Sequence, residues 1–328
     1  MPSLFGSNPS SSDPANDTVP SPSSSCSSSS SPDMWNYFFI PILLHLTKKL
    51  SLAKAQTSTG LLLPSQRGDG SADDSLISFS RCANADPKLY YRPVIGILSH
   101  PVGGASGGRS YIVASYVKFV EAAGGRVIPL IYNEPEEILF QKLELVNGVL
   151  LPGGRSKSGL YYDIAEKIFK KVIEKNDRGD HFPLYAICLG FELLTMIISE
   201  WGISPEKLQN TPNLSRFFKI LTTSTDKNNK VYVSTAQAHR YPVTAFQWHP
   251  EKNAFESGLS MIPHSDDAIE VTQHVANFFI REARRSLNRP AAQKVRDSLI
   301  YNYRPKYYGK AGKGFDQVYI FTQRQARN

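Results

Sequence analysis

From residue 92 the apolar positions alternate between two rhythms, short unbroken runs and longer stretches with helical spacing. "RPVIGILSH" carries a continuous β-branched run and predicts a strand buried on both faces. "SYIVASYVKFVEAAGG" predicts a helix, with Ser110 as its N-cap and Gly124-Gly125 as its stop. "RVIPLI" is the second strand, and "PEEILFQKLELV" the second helix, with Pro135 and two glutamates in its first turn. "GVLLPGG" reads as a third strand ending in glycines, and "LYYDIAEKIFKKVIEK" as a helix apolar at Ile164, Ile168 and Ile173. "PLYAI" is a fourth strand, and a further helix follows Cys188. Strands alternating with helices over short connections predict an α/β fold, a parallel sheet between two helical layers. Ligands in such sheets gather at the carboxyl ends of the strands. Ser99-His100, Gly153-Gly154 and Cys188 all fall at such ends.

After Ile198 the pattern turns polar, then yields three strand-like pieces, "FFKILTTST", "KVYVSTAQAH" and "YPVTAFQWH". "DDAIEVTQHVANFFIREARRSL" closes the domain as an amphipathic helix. The resulting division is a Ser-rich leader over 1–33, a signal-peptide-like segment over 34–55, a linker over 56–91, an α/β domain over 92–290 and a basic, Tyr-rich segment over 291–328. The leader has no Lys or Arg and too few apolar residues to bury a core, so it is expected to be disordered. The apolar run Trp35 to Leu46 is too short for a membrane span of about 20 residues. It suits a signal-peptide core, with Ala53-Lys54-Ala55 as a cleavage site before Gln56, although Lys48 and Lys49 follow the run rather than precede it.

Charge is unevenly placed. The chain's net +8 is concentrated in residues 281–328, which hold 12 Lys/Arg against 3 Asp/Glu, so the rest is nearly neutral. A solvated or self-docked tail explains that run more simply than nucleic acid does. Of three cysteines, Cys26 lies in the leader, and Cys82 and Cys188 make no disulfide framework. No His/Cys cluster has metal-ligand spacing, so no metal or cofactor is expected.

Cys188 stands where a buried strand turns into a helix, a corner that presents a thiol to a substrate at a helix N-terminus. A free thiol near pKa 8.5 is only about 3% ionised at neutral pH, so a nucleophile needs a partner. His249 in "FQWHPEK" ends a strand that Pro250 stops, and Glu251 can reach back to the other ring nitrogen. The backbone N–H groups of Leu189 and of the Gly153-Gly154 turn, Gly154 in particular, are placed to hold an oxyanion. Singly, each feature has a bland structural explanation; in this order on an α/β frame they point to acyl transfer.

"CLGFE", "LPGG", "QWHPEK" and the opening "RPVIGILSHP" resemble gamma-glutamyl hydrolases of plant type, within the class I glutamine amidotransferase-like superfamily, whose fold is flavodoxin-like. The resemblance spans residues 92–290. It implies a thiol hydrolase of folate poly-γ-glutamates in vacuolar or extracellular locations, with Cys188 as nucleophile, His249 as general acid/base and Glu251 as orienting residue. It also implies a substrate-binding role for Glu192, beside Gly153 and Arg155. Arg109, Arg155 and Lys157 are the cations on strand-end loops that could meet an anionic substrate. The partner expected is that small-molecule substrate, with no nucleic acid and no stable membrane anchor, and a homodimer is left open. Asn213-Leu214-Ser215 is a glycosylation sequon consistent with secretion. Cys188 and His249 are closer in sequence than the resemblance implies, as though an internal stretch were absent, and no histidine occurs from 189 to 238. A catalytically impaired or binding-only relative is therefore the alternative, and a glutaminase subunit a weaker one.

Overall fold

The computed structural model describes residues 86–103, 108–198, 209–308 and 315–322. The chain divides into units of residues 1–79 and 80–328, and every described residue belongs to the second. The leader, the signal-peptide-like segment, Cys26 and Cys82 lie outside the described residues.

The strands that the apolar runs predict form the sheet. They are β1 (Val94–Leu98), β4 (Arg126–Leu130), β5 (Gly148–Leu151), β6 (Leu184–Ile187) and β9 (Val243–Phe246), every one buried along most or all of its length. With β7 (Phe218–Thr225) and β8 (Val231–Ala238) they make seven strands in the order β4-β1-β5-β6-β9-β8-β7. The first five run parallel, and β8 and β7 extend the sheet antiparallel. Helices α1 (Ala114–Ala122), α2 (Glu136–Leu143), α3 (Leu160–Asp177), α4 (Leu189–Ile198) and α7 (Asp266–Arg284) cover it, with the short α5 (Pro212–Phe217), α6 (Lys252–Phe255) and α8 (Ala292–Ser298). Two apolar cores result. Ile164, Ile168, Leu193 and Leu194 pack on one face, and Phe119, Val120, Phe279 and Ile280 on the other. This is the three-layer α/β arrangement that the sequence predicts.

One expectation is overturned. The helix predicted from Ser110 begins instead at Ala114, and Val113 precedes it without a side-chain cap. Arg109–Val113 is strand β3, whose alternating burial marks a half-covered strand. It lies in a second sheet, ordered β10-β11-β3-β2, between β2 (His100–Pro101) and β11 (Gln317–Thr322), with β10 (Lys306–Tyr307) at the edge. Ser110 hydrogen-bonds Ser99 through their hydroxyls (2.9 Å) rather than capping a helix. The basic C-terminal segment is therefore docked on its own domain. Val295, Leu299, Ile300, Val318 and Phe321 are buried, and Asp316 donates its amide to the buried Glu256 carboxylate (2.6 Å) while accepting from Ser257 N (3.1 Å).

Candidate active site

Cys188 sits between β6 and α4 with φ of +53°, a left-handed conformation that side chains with a Cβ adopt at a cost of about 1–2 kcal/mol. Its amide donates to Phe246 O on β9 (2.6 Å), and its carbonyl accepts from Glu192 N (3.1 Å), so the strained corner is fixed from both sides. Gly190 allows the turn to sit low on the sheet. A Cβ there would stand 2.3 Å from the Leu151 carbonyl oxygen, a contact no side chain tolerates. The thiol is free and half-buried.

His249 stands three residues beyond β9, where Pro250 follows, and its ring shares the Gly153 backbone with Cys188: a Cβ on that glycine would stand 2.7 Å from His249 Cε1 and 3.3 Å from Cys188 Cβ. Its Nδ1 is 2.7 Å from Glu251 Oε1, which leaves Nε2 for the sulfur. Glu251 is completely buried and its Oε2 meets no protein partner among the described residues. Burial works against the charged ring, but Glu251 and the thiol outweigh it and raise the His249 pKa to about 9. The histidine is therefore an imidazolium at neutral pH, and an imidazolium facing a thiol is the arrangement that stabilises a thiolate.

The Gly153-Gly154 turn after β5 closes over this pair. A Cβ on Gly153 would approach His249 Cε1 to 2.7 Å, so the backbone passes directly against the ring. Gly153 N donates to the Tyr116 hydroxyl (2.9 Å), which also lies 3.4 Å from His249 Nδ1. Arg155 N and Ser156 N both donate to His100 Nε2 (2.9 and 3.3 Å). An Nε2 that accepts must be unprotonated, so the proton of His100 is on Nδ1, 2.9 Å from Pro101 O. Burial lowers the His100 pKa and keeps the ring neutral, partly offset by that carbonyl. The amides of Gly153, Arg155 and Ser156 thus have side-chain acceptors, whereas that of Gly154 has none among the described residues, and Leu189 N opens a helix whose first amides have no partner within it.

Glu192 lies one helical turn from Cys188. Its Oε2 is 2.5 Å from Lys157 Nζ, and its Oε1 accepts from Gln247 Nε2 (3.4 Å). Arg155 is exposed and within electrostatic reach of Tyr111. Arg109 is an exposed residue of β3, and Asn213 an exposed one of α5, neither of them on the turns around the thiol. Two contributors carry no motif. Tyr116 sits in α1, and His100 holds the glycine turn between the rings of Tyr111 and Tyr161 (centroids 5.4 and 5.1 Å). His100 could be singled out only by its place at a strand end. A groove of about 600 Å³ lined by Asp177, His181, Arg240 and Tyr241 lies at the opposite, N-terminal ends of β6 and β9. Within it Tyr241 donates to Asp177 (2.9 Å) and His181 contacts Glu282 (2.7 Å).

Residues 93–199 match the family model described as Peptidase C26. The chain is 51% identical to gamma-glutamyl hydrolase 2 of Arabidopsis thaliana, over 89% of this chain and 99% of that protein. It is 47% identical to gamma-glutamyl hydrolase of Glycine max (87% and 97%) and 33% identical to that of Mus musculus (70% and 90%). A solved glutamine amidotransferase from Thermotoga maritima aligns with 59% of this chain and 99% of its own, at 14% identity and a TM-score of 0.35. The first alignment runs over 351 positions, whereas 89% of 328 residues is about 292, so about 59 positions of that relative have no counterpart here. With identity of this level spread along most of its length, the chain belongs to the gamma-glutamyl hydrolase family.

Proposed function

We propose that this chain hydrolyses the γ-glutamyl bonds of folate polyglutamates through a thioester on Cys188. The observation that carries the roles is the 2.7 Å contact between His249 and the buried Glu251, which holds a charged imidazole against a thiol on a strained corner. The thiolate attacks the γ-carbonyl carbon, and the oxyanion that forms accepts from Leu189 N and Gly154 N. One such donor typically contributes about 100- to 1000-fold in rate. As the C–N bond breaks, His249 gives its proton to the departing amine. His249 then takes a proton from water as the hydroxyl attacks the thioester, and the thiolate leaves. Glu251 fixes the ring and its charge throughout. The substrate is anionic and lies against Glu192, Gly153 and the cations of the neighbouring turn. We further propose entry to the secretory pathway, towards vacuole or cell exterior, supported by the apolar run Trp35 to Leu46 and the exposed sequon at Asn213.

The test is glutamate release from a pteroyl-polyglutamate by the full chain, beside Cys188→Ala. Turnover that the variant lacks is the expected result. A second reading is favoured by the roughly 59 positions of the plant relative with no counterpart here, found at a similar size against the mouse protein (287 aligned positions, 70% of this chain). In that reading the dyad is intact but the substrate enclosure is incomplete. Absence of turnover from a folded, monodisperse sample would establish it and refute the hydrolase.

A further inference from the structure

The turn that carries Gly153 and Gly154 also carries an ammonium group to the mouth of the site. His100 pins the turn at Arg155 and Ser156, so the backbone leading into Lys157 is fixed. From there Lys157 Nζ reaches Glu192 Oε2 at 2.5 Å, while Gln247, two residues before His249, holds the other oxygen. The Lys157 side chain is 56% exposed and that of Glu192 29%, so the pair faces solvent at the entrance. Such an exposed pair is worth little in isolation and is readily exchanged for another carboxylate.

Resting on the hydrolase reading above, we infer that Lys157 is a specificity-determining residue that binds the α-carboxylate of the glutamyl residue held at Cys188, exchanging Glu192 for substrate. The dimensions fit. In a γ-linked glutamate the α-carboxylate carbon is four bonds from the γ-carbonyl carbon, about 5 Å when extended, and one helical turn rises about 5.4 Å. Glu192 is one turn from Cys188, so a γ-carbonyl at the thiol carries its α-carboxylate to the Lys157–Glu192 pair. Glu192, released from Lys157 and still held by Gln247, then accepts from the α-nitrogen of the same residue. One cation and one anion thus read the two substituents of a single α-carbon, the feature that distinguishes a γ-glutamyl from a simple acyl group.

The experiment compares two substrates and three proteins. One substrate is a pteroyl-γ-glutamyl-glutamate; the other is identical except for an α-carboxamide on the residue whose γ-carbonyl is attacked. Lys157→Met should lower kcat/KM on the carboxylate substrate about tenfold, chiefly through KM, and Lys157→Arg should restore most of it. Wild type should lose a similar factor on the carboxamide, and Lys157→Met should lose nothing further there. Equal losses by Lys157→Met on both substrates would overturn the inference, since they would mean that the lysine only positions Glu192. Calorimetric binding of the same two compounds to Cys188→Ala, with and without Lys157→Met, reads the contact independently of turnover. A protein that binds with this pattern but does not cleave refutes the hydrolase alone. Binding without charge discrimination refutes the role of Lys157 whatever the activity.

Discussion

Glu251→Gln is the sharpest perturbation the site offers, because it removes a charge while keeping a side chain of the same shape. In the intact protein Glu251 and the Cys188 thiol together raise the His249 imidazole from an ordinary 6.5 to about 9 against the opposing effect of burial. At about 1.36 kcal/mol per pH unit, that is roughly 3 kcal/mol of preference for the charged ring. The glutamine carbonyl can still accept from Nδ1, but with the carboxylate gone burial prevails, and the histidine should titrate below 6.5. The linked stability follows in sign. A base raised in the folded state contributes fully below pH 6.5 and loses that contribution as pH rises towards 9. Wild type should therefore lose up to about 3 kcal/mol between pH 6 and 9 relative to Glu251→Gln. Histidine NMR titration, with His249 identified by its absence from His249→Asn, measures the midpoint, and urea unfolding at the two pH values measures the difference. A His249 midpoint still near 9 in Glu251→Gln would refute the assignment of the charge to Glu251.

The corner and its supports give three more tests. Cys188→Gly should be more stable than Cys188→Ala by about 1 kcal/mol in urea unfolding, because only glycine accepts the positive φ freely; equal stabilities would remove the strain argument. Tyr116→Phe leaves the Gly153 amide without its acceptor and should cost about 1–2 kcal/mol, with a fall in kcat larger than any change in KM; unchanged kinetics would make Tyr116 a packing residue. The neutral His100 behaves oppositely to His249. Its folded-state pKa is depressed, so protonation in the unfolded chain destabilises the fold as pH falls below 6.5, and His100→Gln should flatten that acid limb. If the limb is the same in the variant, another group is responsible.

The parallel strands and their helices are legible in the sequence because each is specified by a local rhythm, and the rhythm of Ile164, Ile168 and their neighbours survives folding unchanged. "RSYIV" misleads because its apolar spacing suits a helix when taken with "ASYVKFV", while what makes it a strand is β11, remote in sequence. No window around residue 110 contains that partner. Cys188, His249 and Glu251 are recognisable because each sits beside a local signal, a strand-to-helix corner or a strand-stopping proline. Tyr116 is not, since a tyrosine on an apolar helix face has nothing to mark it until Gly153 and His249 arrive from 37 and 133 residues away. His100 reads as a strand-end histidine; its work as an acceptor for two amides exists only once the turn after β5 is folded over it.

The pairing of β11 with β3 also bears on when the protein can become a catalyst. Val113 pairs with Val318 and Arg109 with Thr322, and β3 leads directly into the helix that bears Tyr116. A ribosome extends a chain by about 5–20 residues per second, so β3 waits at least ten seconds or so for its partner after it has emerged. Until then the segment carrying Tyr116 lacks one wall, and the glycine turn lacks the Tyr111 face that Phe315 helps to stack. Assembly of the thiol site is thus deferred until β11 has emerged and paired with β3.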